Sequence, residues 1–135
     1  MRRLVDEAGL GDRIVVDSAG TSSEHLGEPP DRRTVHEARR RALDVESHRV
    51  WRFESADFDR FDLVLAVDHV NERRLLDRAP DEAARAKVRL VRDWVDGEEI
   101  PDPWYGGAAD FVLAFDLAHE ACVALLDDVR CRLAS

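Results

Sequence analysis

The chain has 135 residues, enough for one domain, and folding at that size removes roughly 68–70% of the surface of the unfolded chain. With 44% apolar and 36% charged residues, three Trp and five Phe, it reads as a soluble globular chain rather than a disordered one, and no apolar run approaches the ~18 residues of a membrane span. The net charge of −9 argues against nucleic acid as a partner, but it leaves room for a local anion pocket built from backbone N–H groups and an arginine.

The basic opening Met1-Arg2-Arg3 has no apolar stretch behind it and does not read as a signal peptide. Residues 1–8 are predicted helical, stopped by Gly9 and Gly11. Residues 12–17 read as a short buried strand, from which Ser18-Ala19-Gly20-Thr21 turns away. A loop over 22–30 leads to a helix over 31–43, with Val35, Ala38 and Ala42 on one face. Residues 62–67 are apolar on both faces and read as an interior parallel strand, followed by Asp68 as N-cap and a helix over 71–78. Residues 88–91 form a third strand candidate and 97–107 a loop. A long amphipathic helix closes the chain over 110–133, with Phe111, Ala114, Phe115, Ala118, Cys122, Leu125, Leu126 and Val129 as its apolar stripe. This alternation predicts a single α/β domain over 1–135, a small parallel sheet with helices on both faces. Cys122 and Cys131, nine residues apart, fall on opposite helix faces at about 100° per residue and cannot pair. They read as small apolar packers in a reducing cytoplasm.

In open parallel sheets, sites gather at the carboxyl ends of the strands. Three segments meet there: Asp17 to Thr21, Asp68 with Asn71, and the loop Ile100-Pro101-Asp102-Pro103-Trp104-Tyr105-Gly106-Gly107. The two prolines fix the direction of Asp102, and Trp104 and Tyr105 supply a flat apolar wall. A positioned acid beside such a wall suits a general acid acting on an aromatic leaving group. The same residues also read as a proline-rich turn whose aromatics pack on the core. His25, His36, His48, His69 and His119 lack ligand spacing with carboxylates or thiols, so no metal and no organic cofactor is indicated.

Asp17-Ser18-Ala19-Gly20-Thr21, Gly27-Glu28-Pro29-Pro30-Asp31, Asp68 with Asn71, and Asp102-Pro103-Trp104-Tyr105-Gly106 occur in an order and spacing that resemble the low-molecular-weight protein tyrosine phosphatase family. The last motif is the specific one, and the likeness runs over essentially the whole chain. It implies a small parallel sheet flanked by helices, and hydrolysis of a phosphotyrosine protein or a small aryl phosphate through a cysteinyl-phosphate. It implies that Asp102 protonates the departing phenolate and then acts as base on the water that releases phosphate. Trp104 and Tyr105 match positions lining the substrate cleft. Ser18 and His48 match supports of the phosphate loop, although His48 reads equally as an exposed histidine at a helix end. Asp68 matches a carboxylate that orients the loop's arginine. Where many members carry an aromatic between Gly20 and Gly27, this chain has Glu24 beside His25, which would repel a dianion and weaken aryl stacking.

The family's nucleophile lies in a Cys-x5-Arg loop whose N–H groups cradle the dianion and lower the thiol pKa. Six positions after Cys122 stands Asp128, and only four residues follow Cys131, so neither begins such a loop. Met1 matches the middle of the family's first helix, and roughly twenty residues, one strand and the phosphate loop, are expected upstream. A start codon placed too late, or a shortened chain, is the expected cause, and in-frame DNA upstream of Met1 decides it. Without that strand, the strands at 14–17 and 63–67 would face a gap, and would close together or leave the chain poorly stable. The leading expectation is a phosphatase-like chain that is inactive as written. Two alternatives stand beside it: a short non-catalytic binding or regulatory module of the same fold, and arsenate reduction. The latter needs redox cysteines after the strand at 63–67, where this chain has none.

Overall fold

The structure, a computed structural model, describes residues 1–20, 32–43, 51–101 and 107–134. Helix α1 (Arg2–Glu7) buries Val5 and ends where Gly9 adopts φ 71°, its N–H donating to Asp6 O at 3.0 Å. Helix α2 (Arg32–Arg40) buries Ala38 and Glu37. It stops short of the predicted end. Ala42 sits at φ 59°, Ala42 N–H reaches Arg39 O at 3.0 Å, and Leu43 N–H reaches Ala38 O at 2.8 Å. This is a Schellman ending, and it turns Ala42 out to solvent instead of into the apolar face expected for it.

Strand β1 (Val64–Ala66) pairs in parallel with β2 (Val88–Leu90), in the register Val64 to Val88, Leu65 to Arg89 and Ala66 to Leu90. Helices α3 (His69–Arg78) and α4 (Glu82–Ala86) lie between them in sequence and pack on the strands, which is the α/β arrangement expected. Strand residues alternate, so Val64, Ala66, Val88 and Leu90 enter a core with Leu75, Ala84, Phe53 and Phe58, while Arg89 is exposed. Phe58, 1% exposed, sits in a 3-10 turn over Ser55–Asp59 and meets Phe53 edge-on at 5.0 Å between centroids.

The stretch at 12–17 does not form the predicted strand. A strand needs a hydrogen-bonding neighbour, and among the described residues none lies along it. Val15 is 85% exposed, and Val16 O accepts instead from Arg2 Nε at 2.8 Å. Sheet-like pairing begins only at Gly20, in an isolated parallel bridge to Arg52. There Gly20 N–H donates to Trp51 O at 2.8 Å and Phe53 N–H to Gly20 O at 2.9 Å.

Helix α5 (Ala108–Ala134) packs against α1, α2 and a 3-10 turn over Val91–Trp94. Phe111, Leu125 and Leu126 of its predicted stripe are buried, together with Ala121, which the periodicity had not singled out. Cys122 is half-buried, but Cys131 is exposed near the helix end, so only the first is a packing residue. Among the described residues, no helix is long and apolar enough to cross a membrane.

Candidate functional site

Val67 carries the chain out of β1, and Asp68 follows with extended backbone (φ −143°, ψ 171°). A short acceptor side chain in that conformation turns back onto the helix it precedes. Asp68 Oδ1 accepts from Asn71 N–H at 2.7 Å, the N-cap expected from the sequence. The helix begins at His69, two residues earlier than predicted, because Asp68 as N-cap makes the next residue its first, and a second carboxylate holds that first amide: His69 N–H donates to Glu99 Oε1 at 2.7 Å. Glu99 lies thirty residues along the chain, and no local pattern marks it. The next residue donates as well, from Ile100 N–H to Val67 O at 2.8 Å.

The imidazole of His69 faces Glu72, with Nδ1 3.2 Å from Oε1. That contact, reinforced by the charges of Glu99, Glu72 and Asp68, raises the His69 pKa above its ordinary value. Three carboxylates thus cluster about the amino end of α3, where the helix dipole favours negative charge.

Ser18 lies on the exposed stretch after Val16, its N–H donating to Asp17 Oδ1 at 2.8 Å. Arg2 fixes this stretch from α1, through Val16 O and an ion pair of 3.3 Å to Asp17. A shallow cleft of about 220 Å³ between α1 and this stretch includes Arg2, Val5, Gly11 and Val15 in its lining, and none of the predicted site residues. Asp102, Trp104, Tyr105 and His48 lie outside the described residues, as do Glu24 and His25. Of the predicted site, the structure therefore describes Asp68 and Ser18. Among the described residues, no cluster of three or more His, Cys, Asp and Glu side chains could hold a metal ion.

A family model described as low molecular weight phosphotyrosine protein phosphatase matches residues 1–134. A putative low molecular weight protein-tyrosine-phosphatase of Synechocystis is 43% identical, the match covering 93% of this chain and 82% of that protein. A low molecular weight protein-tyrosine-phosphatase of Streptomyces coelicolor is 37% identical over 96% of this chain and 81% of its own length. Among solved structures, a protein tyrosine phosphatase from Entamoeba histolytica with Hepes in its active site superposes with a TM-score of 0.89 at 32% identity, covering 96% of this chain and 83% of that one. Wzb of Vibrio vulnificus, in complex with benzylphosphonate, superposes with a TM-score of 0.83 at 29% identity, covering 94% and 84%.

Proposed function

The chain belongs to the low molecular weight phosphotyrosine protein phosphatase family, and from that premise we propose that its chemistry is hydrolysis of a phosphotyrosine protein or a small aryl phosphate, with Asp102 as general acid. The observation that carries this reading is the anchorage at the carboxyl end of β1. Glu99 and Ile100, just ahead of Asp102, are tied to the start of α3 and to Val67. That is the edge where open parallel sheets gather ligands. The benzylphosphonate held by the Vibrio vulnificus relative supports a substrate with an aryl group beside a phosphoryl centre.

In this reading Asp102 protonates the phenolate oxygen as the P–O bond breaks, then takes the proton of the water that attacks a cysteinyl-phosphate. Trp104 and Tyr105 line the aryl side of the cleft. Ser18 and His48 support the phosphate loop, and Asp68 orients its arginine. Residues 1–135 act as one domain, in a reducing cytoplasm where Cys122 and Cys131 stay thiols. They contain no Cys-x5-Arg, so by themselves they lack the nucleophile and are inactive.

The purified 135-residue chain, assayed with p-nitrophenyl phosphate, is expected to release no more nitrophenolate than a blank. Turnover well above the blank and abolished by Asp102→Asn would establish the acid and overturn the inactivity.

A further inference from the structure

We propose that Glu99 is a positioning residue: by holding the first amide of α3, its carboxylate sets the direction in which the chain passes the end of β1 toward residue 102. The inference rests on Asp102 being the acid of the proposed reaction.

The first-turn N–H groups of a helix have no partner inside it. Asp68 satisfies the Asn71 amide from the adjoining position, as N-caps ordinarily do. The His69 amide is satisfied from thirty residues away, by Glu99 Oε1 at 2.7 Å. The His69 ring does not compete for that carboxylate, because its Nδ1 is engaged with Glu72. Ile100 then donates its N–H to Val67 O at 2.8 Å and buries its side chain to 6% exposure.

Two consecutive residues are thus fixed at three points: a carboxylate on α3, an amide on the end of β1, and a side chain in the interior. Glu99 is itself exposed, as are Glu98 and Pro101, and of these four residues only Ile100 is buried. For α3 alone a long-range cap adds little beyond Asp68. For the chain that follows, it removes the rotation left about a single backbone hydrogen bond. The negative charge also suits the positive end of the helix. The requirement at residue 99 is an acceptor oxygen at this reach, which Gln keeps and Ala lacks.

The test is amide exchange and chemical shift in the ¹⁵N-labelled 135-residue chain, comparing the parent with Glu99→Ala and Glu99→Gln. In Glu99→Ala, exchange at both His69 and Ile100 is expected to accelerate about tenfold, with amide resonances of residues 102–106 displaced and those of α5 unmoved. Glu99→Gln is expected to bring exchange within about twofold of the parent and return the 102–106 signals. Acceleration at His69 alone, with Ile100 and residues 102–106 at parent values, would reduce Glu99 to a helix cap and overturn the proposal. So would unchanged exchange at His69, or failure of Gln to restore the 102–106 signals. If Glu99→Ala melts globally, Glu99→Asp, which keeps the charge but shortens the reach, is expected to accelerate exchange at His69 and Ile100 and displace the 102–106 signals, and parent values in that variant would overturn the proposal. None of these readouts needs turnover, so the positioning role of Glu99 is decided independently of whether Asp102 serves as the acid.

Discussion

The carboxylate of Asp68 accepts from the Asn71 amide at 2.7 Å, and an asparagine oxygen caps a helix about as well. Charge and cap can therefore be separated at this residue. Asp68→Ala is expected to destabilise the chain by about 1 kcal/mol, read as a lower urea midpoint at unchanged slope. Asp68→Asn is expected to stay within a few tenths of a kcal/mol of the parent, because the cap remains and only its interaction with the helix dipole is lost. Equal losses in the two variants would mean that charge at the amino end of α3, rather than the hydrogen bond, supplies the stability. The separation matters for the proposed reaction. A carboxylate meant to orient an arginine cannot be replaced by Asn, whereas a cap can.

At the scale of elements, α2 shows where a local pattern misleads. Arg41-Ala42-Leu43 carries no glycine or asparagine, so the apolar spacing extends the helix over residues that the structure turns away. The turn occurs because the Schellman hydrogen bonds close there, and it forces Ala42 to φ 59°. An L residue in that region is strained by about 1–2 kcal/mol, part of which glycine gives back through its freer unfolded state. Ala42→Gly is accordingly expected to stabilise the chain by about 0.5–1 kcal/mol in thermal or urea unfolding. No gain, or a loss, would show that Ala42 does not hold the left-handed conformation in solution. Where local signals and packing agree, the elements are legible in the sequence: β1 from its apolar run, α3 from Asp68, α5 from its stripe. The strand expected at 12–17 had the right composition, but composition cannot supply the neighbour a strand pairs with. At the site the same division holds, since the Asp68 cap is three residues from its donor while Glu99 meets His69 across thirty. Arg92 was illegible for a related reason. It lies 3% exposed and joins the turn after β2 to α5, with 2.7 Å contacts to both Asp96 and Glu120 and a 2.9 Å bond to Leu117 O. Nothing in Val91-Arg92-Asp93 announces a buried cation, because its α5 partners are more than twenty residues distant.

Over the whole molecule, Arg41 ties the end of α2 to α1 and α5, and one buried carboxylate holds Arg41. Glu37, 4% exposed, accepts from Arg40 at 2.7 and 3.0 Å and from Arg41 at 2.6 Å. Arg41 continues to Asp116 at 2.9 Å and Val112 O at 3.3 Å on α5, and its own carbonyl accepts from Arg3 Nη1 of α1 at 2.7 Å. The Arg40 hydrogen bond first, and the Arg41 hydrogen bond next, hold the Glu37 pKa at about 2, down from 4.5. A carboxyl that ionises more readily folded than unfolded stabilises the fold above its unfolded pKa, and that contribution fades as protons are taken up. For Glu37 the loss runs from about pH 4.5 down through about 2. Asp96, held at about 2 chiefly by its hydrogen bond to Arg92, loses its contribution in the same direction, so acid sensitivity alone does not identify Glu37. A neutral variant does. Glu37→Gln is expected to have a lower urea midpoint than the parent at about pH 6, where the parent's Glu37 is ionised. The gap should narrow steadily as pH falls from about 4.5 toward 2, because only the parent loses the ion pair over that range. A gap constant with pH would mean that Glu37 contributes through the packing of its side chain and not through its charge.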